Sequence, residues 1–164
     1  TDLAFRLIVA LTAHAGIEWD LQEADEEQLA QIARWGTAYR ELRGLIHSGR
    51  VVNADLADES TLLTGIVADD QSRAIFTWAR LGTSAPGQSG RVRFPGLDAA
   101  AHYAVRIRDD FGPASRHQSA DPSWIVAAAT GSAILPGTVL AVAGVPLPTL
   151  NPQQAMLFDL VRVS

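Results

Sequence analysis

Residues 73–81 read RAIFTWARL. At the two-residue period of a strand, Ala74, Phe76, Trp78 and Arg80 share one face while Ile75, Thr77, Ala79 and Leu81 share the other. Both faces are largely apolar, so this strand suits a sheet packed on both sides or a sandwich edge. The same grammar extends outward from it. Residues 51–53, 62–68, 91–94, 102–108, 125–128 and 156–163 combine β-branched and aromatic side chains with Gly/Pro punctuation, and read as further strands. TSAPGQSG at 83–90 is a loop by composition, Pro95-Gly96 a turn, and 112–122 a longer irregular stretch. Pro136-Gly137 opens a single helical turn through Ala143, stopped by Gly144 and Pro146. No crossover helices separate the seven strands, which predicts an antiparallel sandwich rather than a parallel sheet.

Before Gly49 the period changes to that of helices. Residues 2–14 (DLAFRLIVALTAH) carry one charge, Arg6, after the first position, and Gly16 follows as a stop signal. Leu3, Phe5, Leu7, Ile8, Val9 and Leu11 spread around nearly the whole circumference, the pattern of a helix covered on several sides. Such a helix must dock on the sandwich, meet a second copy or belong to a larger assembly, since left bare it would invite association. Asp25 and Gln28 have capping-box spacing, and Glu26 and Glu27 face the positive end of the helix dipole. Leu29, Ile32, Gly36, Tyr39, Leu42 and Ile46 then mark an amphipathic helix ending at 47–49. The expected fold class is α+β: a helical segment over 1–50, then an antiparallel β-sandwich over 51–164.

The chain has 164 residues, 48% hydrophobic and 19% charged, which suits one packed soluble domain. Thirteen basic and 18 acidic residues give a net charge of −5, so nothing concentrates the positive field that a nucleic acid requires. No apolar run approaches the roughly 18–20 residues of a membrane span. All basic residues are Arg, with no Lys, and Cys is absent, which excludes disulfides, thiolate-bound zinc and thiol nucleophiles. Nothing argues for secretion, and a cytoplasmic location is the expectation. The start at Thr1-Asp2-Leu3 reads as internal to a longer protein.

Chemistry-bearing groups are sparse. Glu18 and Asp20 are the one tempting carboxylate pair, because two acids flanking a bond can share acid and base work in glycoside hydrolysis. Their spacing in a connecting loop suits Asp20 better to bonding local backbone. An independent enzyme built on His14, Glu18 and Asp20 is the reading that this pair leaves open. His14 and Glu18 stand four apart, but Gly16 interrupts the helix between them, and His47, His102 and His117 add no HExxH spacing, so no metal is expected. No GxSxG elbow is present, and Gly82, Gly87 and Gly90 lack the GK[ST] ending of a phosphate loop, so no cofactor is expected either. Trp35 and Trp78 fall inside predicted elements as core anchors. Trp124, in a Pro-bounded segment, is the candidate for stacking on a sugar ring.

Five stretches, in order, resemble one family. HAGIEWDL at 14–21 is similar to the H-F-G-x-E-W-D-L segment of bacterial melibiase-type α-galactosidases, glycoside hydrolase family 36, and YRELRGLIHSGRVV to that family's Y-K-x-x-R-x-L-x-H-x-G. ADDQSRAIFTWARL resembles A-x-D-x-S-x-A-L-F-x-Y-x-R-L, and FPGLDAAAHYAVR resembles L-P-G-L-D-x-x-x-x-Y-x-V-R. PGTVLAVAGVPLPTLNPQQAMLF resembles the closing G-x-x-L-x-x-x-G-L-x-L-P-x-L-x-P-x-S-A-L-L. Ala15 replaces an aromatic of the pattern and Gln154 a small residue.

The resemblance implies an enzyme with an N-terminal β-domain, a catalytic (β/α)8 barrel and a C-terminal sandwich. The barrel would supply a carboxylate nucleophile and a carboxylic acid close enough for retention of configuration. Both acids would lie upstream of Thr1, so the resemblance implies no catalytic residue here and a supporting role for the chain. Residues 1–50 would be the edge of that barrel, and the all-round apolarity of 2–14 fits a helix wedged into its outer ring. The implied partners are the barrel, further copies in a homo-oligomer, and an α-galactoside substrate such as melibiose or raffinose. The competing expectation is a non-catalytic sugar-binding sandwich that uses Trp124.

Overall fold

The computed structural model describes residues 2–12, 16, 20–83, 90–116 and 121–164. Its centre is a six-stranded, wholly antiparallel sheet. The strands are β1 (Arg50–Asn53), β2 (Thr61–Val67), β3 (Arg73–Arg80), β5 (His102–Arg108), β6 (Ala133–Pro136) and β8 (Gln154–Arg162), in the order β1-β2-β3-β8-β5-β6. β4 (Arg91–Val92) and β7 (Val145–Pro146) form a separate ribbon. The RAIFTWAR strand is interior, paired to β2 and to β8 with Phe76 opposite Phe158 and Ile75 opposite Asp159. Seven of its eight residues are buried, as the two apolar faces of its sequence require.

Each face has its own core. Phe76, Trp78, Tyr103, Phe158 and Leu160 point into one, closed by the β4–β7 ribbon, by α3 (Ser123–Ala129) and by a π-helical turn at Thr138–Ala143. Phe94 sits at its centre, with edge-on contacts to Phe76 at 4.9 Å and Phe158 at 5.8 Å between ring centroids. Such pairs contribute about 0.5–1.5 kcal/mol beyond area burial. Trp78 satisfies its indole N–H by donating to the Pro148 carbonyl at 3.0 Å.

The other face carries Ile66, Ile75, Ala79, Ala155 and Leu157 against α1 (Leu3–Thr12) and α2 (Glu26–Ser48). The apolar lead helix therefore docks on the sandwich. Leu7, Ile8 and Leu11 are buried, and of residues 3–12 only Arg6 and Val9 are exposed. Trp35 of α2 donates its indole N–H to the Leu7 carbonyl at 2.8 Å, tying the helices together. The capping box at Asp25 is complete, with the Gln28 N–H donating to Asp25 Oδ1 at 2.8 Å and the Asp25 N–H to Gln28 Oε1 at 3.0 Å. The buried stripe of α2 runs through Trp35, Ala38 and Leu42, leaving Leu29 of the expected stripe exposed.

One predicted strand is corrected. Residues 125–128 lie in the helix α3, started after Pro122 and stopped at Gly131, whose φ is +72°. Ile125-Val126 mimics a strand, and an apolar run this short carries no decisive period. The strands β6 and β7, of four and two residues, were not expected; both end in a proline, which an edge strand tolerates.

Thr77 Oγ1 is buried, with Thr77 2% exposed, and among the described residues has no hydrogen-bond partner. Thr77→Val removes this orphan and keeps the shape. Stability is expected to rise by about 1 kcal/mol, read as a melting-temperature increase of about 2–4 °C.

Candidate functional site

Trp124 opens α3, where its indole N–H donates to the Pro146 carbonyl at 2.8 Å. Its ring packs on Phe158 at 5.6 Å and edge-on to Phe94 at 6.4 Å between centroids, so it is engaged with the core. Asp20 caps a short 3-10 turn at Leu21–Glu23, accepting from the Gln22 N–H at 3.0 Å, the local backbone bond that its loop position predicts. His14 and Glu18 lie outside the described residues. Among the described residues no three His, Asp or Glu side chains gather as a metal site would require.

The groups that do converge are six charges where α2 crosses the sheet. Asp159 projects from β8 toward the helices and is 1% exposed. Arg73 of β3 grips it with a fork, Nε to Oδ1 at 3.1 Å and Nη2 to Oδ2 at 2.9 Å. Arg106 of β5 donates through Nε and Nη2 to Oδ2 at 3.3 and 3.0 Å, and Arg108 through Nη1 to the same oxygen at 3.3 Å. Glu41 of α2 closes the cluster from above, taking Arg108 Nη1 and Nη2 at 3.0 and 2.9 Å and Arg73 Nη2 at 2.9 Å. Asp110 accepts from Arg108 Nε at 2.6 Å. Three guanidiniums thus meet three carboxylates, and the bonded oxygens and nitrogens offset the cost of burial.

The protonation directions follow from this geometry. Burial pushes the Asp159 carboxyl up, but the hydrogen bonds and charges of Arg73 and Arg106 outweigh it and hold it below the ordinary value. The Arg108 hydrogen bond, opposed by desolvation and aided by Arg73, lowers Glu41 as well. Arg73 is raised, chiefly by its bond to Asp159. Glycoside hydrolysis instead needs one carboxylic acid kept protonated near neutral pH. This cluster favours the ionised form of Asp159 and Glu41 and saturates both with hydrogen bonds. It positions α2 on the sheet and is unsuited to proton transfer.

A second polar cluster gathers the turns. Tyr103 OH donates to the Gln71 carbonyl at 2.9 Å and accepts from the Asp98 N–H at 3.0 Å, while Gln71 Nε2 donates to the Gly96 carbonyl at 2.7 Å. Asp70 accepts from the Ser72 N–H at 2.9 Å, turning β2 into β3. Gly137 donates its N–H to the Ala101 carbonyl at 2.7 Å, joining β6 to the same corner. The D-Q-S, P-G-L-D, Y and P-G residues of three separate motifs thus meet at one place.

Residues 62–160 match the model of the glycosyl hydrolase family 36 C-terminal domain. The chain belongs to this family. The family 36 domain is 34% identical over 166 residues to an α-galactosidase of Escherichia coli, an alignment that takes in 98% of this chain and 23% of the enzyme. Among solved structures it resembles the GH36 α-galactosidase AgaA of Geobacillus stearothermophilus, with a TM-score of 0.76 at 21% identity over 99% of this chain and 20% of that one. It also resembles the α-galactosidase of Lactobacillus brevis, with a TM-score of 0.74 at 22% identity over 100% of this chain and 20% of that one. These structural likenesses establish the fold. The family 36 domain spans about a fifth of the length of the proteins it matches.

Sequence reasoning passed over both polar clusters of the family 36 domain. One signal was present for the first: Asp159 interrupts the apolar run MLFDLV, and a buried acid requires partners. Among the described residues no helix is long and apolar enough to cross a membrane.

Proposed function

We propose that this chain is the C-terminal β-sandwich of an α-galactosidase and that its task is to support a (β/α)8 barrel of the same protein. The barrel would perform retaining hydrolysis of terminal α-galactosides such as melibiose or raffinose with its own pair of carboxyl groups. The observation that carries this reading is the identity to the Escherichia coli α-galactosidase, which runs through nearly all of this chain and less than a quarter of that enzyme.

Residues 51–164 would form the sandwich and 1–50 the segment leaning on the barrel's edge. Arg73, Arg106 and Arg108 fix α2 by its Glu41, so whatever rests on the outer side of α2 is held at a set distance from the sheet. Homo-oligomeric contacts and a cytoplasmic location complete the proposal.

The test is an assay of the purified 164-residue chain on a chromogenic α-galactoside, beside a longer polypeptide that includes the barrel. The chain is expected to match the buffer blank and the longer protein to turn over. Hydrolysis by the chain alone overturns the reading.

A further inference from the structure

An open cleft of about 480 Å3 lies between the segment leaving β1 and the strand β4, within the roughly 300–1,000 Å3 range of small-molecule sites. One wall is β4 and its continuation. Val92 is buried in the core, so the two-residue period turns Arg91 and Arg93 together to the outside, where both line the cleft. Arg91 is braced by a bond from its Nε to the Ala143 carbonyl at 3.3 Å. The facing wall carries Asn53 and Asp55, and Leu56 and Pro95 add apolar surface. Among the described residues neither Arg93 nor Asp55 forms an ion pair, although both line the same space.

Arginine only donates hydrogen bonds, a carboxylate only accepts them, and an asparagine does both. A ligand that satisfies this lining must present acceptors and donors side by side. Arg91 and Arg93 against Asp55 leave one net positive charge, so the ligand's acceptors outnumber its donors. A group that only accepts would be repelled by Asp55, and one that only donates by the two guanidiniums. Vicinal hydroxyl groups meet both demands, and the C–H face of a pyranose matches Leu56 and Pro95. We propose that this cleft is a saccharide-binding site, with the ligand hydroxyls held by Arg91, Arg93, Asp55 and Asn53. Among the described residues no aromatic ring lines it, so the affinity belongs in the millimolar class. The proposal does not rest on the hydrolytic reading above.

The experiment is a titration of the isotope-labelled 164-residue chain with raffinose, followed by backbone amide shifts, with inorganic phosphate in a parallel series. Saturable shifts at 53–56 and 91–95 with a Kd on the order of 1 mM are expected. They should weaken about tenfold or vanish in Asp55→Ala and in Arg93→Ala, while the remaining amide peaks of each variant stay in place. Absence of shifts with raffinose, shifts confined to other residues, or a response to phosphate alone overturns the proposal. Galactose release is read separately from the sugar signals in the same tube, so failure of the cleft and failure of the hydrolytic reading are told apart.

Discussion

Asp159→Asn is expected to lower stability by about 3–5 kcal/mol, the usual cost of breaking a buried ion pair from one side. The substitution keeps the shape and leaves three guanidiniums, of Arg73, Arg106 and Arg108, facing only Glu41 and Asp110. Against a total of about 5–15 kcal/mol for a domain, this loss is severe. Urea unfolding at neutral pH should show a lower midpoint with an unchanged slope. A change below about 1 kcal/mol would show that the arginines find water instead, as at surface pairs.

The same residue predicts a pH dependence. Glu41 and Asp159 both have folded-state values depressed below those of the unfolded chain. The stability they contribute is fully present above the unfolded carboxylate range, roughly pH 4, and is lost as pH falls through their lower folded values. The unaltered chain should therefore lose stability steeply below about pH 4. Asp159→Asn should lose less over that interval, having already forfeited its share.

Gly137→Ala is the second large effect expected. A Cβ at this position would stand 1.9 Å from the Asp98 carbonyl oxygen and 3.1 Å from that of Ala101. Both are backbone atoms held in place: the Ala101 carbonyl accepts from the Gly137 N–H at 2.7 Å and the Asp98 carbonyl from the Ala101 N–H at 3.3 Å, while the Asp98 N–H donates to Tyr103 OH at 3.0 Å. Relief requires the chain to separate at the corner where β6 meets the 98–101 turn. Overpacking costs about 1–3 kcal/mol when side chains can yield, and this substitution belongs at or above the upper end. Gly44→Ala gives the contrast, since nothing lies within 4 Å of its added Cβ on α2. That change should stabilise by about 0.5–1 kcal/mol through helix propensity. Thermal melting of the two variants should move in opposite directions.

Much of the fold was legible because local pattern and tertiary burial agree. The strand 102–108 has the predicted ends, and the strand at 73–80, whose two apolar faces suit either a sheet packed on both sides or a sandwich edge, is interior with both faces buried. The Asp25 to Gln28 spacing marks the start of α2 to the residue. The failures have physical reasons. Ile125-Val126 carries β propensity that the pairing of α3 with its Pro122 start and Gly131 stop overrides. The strand β6 is too short to show a period and is defined by its partner β5. The ion cluster draws on Glu41, Arg73, Arg106, Arg108 and Asp159, and no local spacing connects residues so far apart. The cleft is likewise assembled from 53–56 and 91–95, which only the folded chain brings together.

The strand order has a consequence for biosynthesis. β8 sits between β3 and β5, yet it follows every other strand in the sequence. Until residues 154–162 emerge from the ribosome, β1-β2-β3 and β5-β6 are two unjoined halves, each with an open edge and a bare apolar face. That interval is when a nascent chain of this topology is most exposed to wrong partners. A holdase that shelters strand edges, or a pause in translation before residue 154, would act on yield without touching the finished domain's stability.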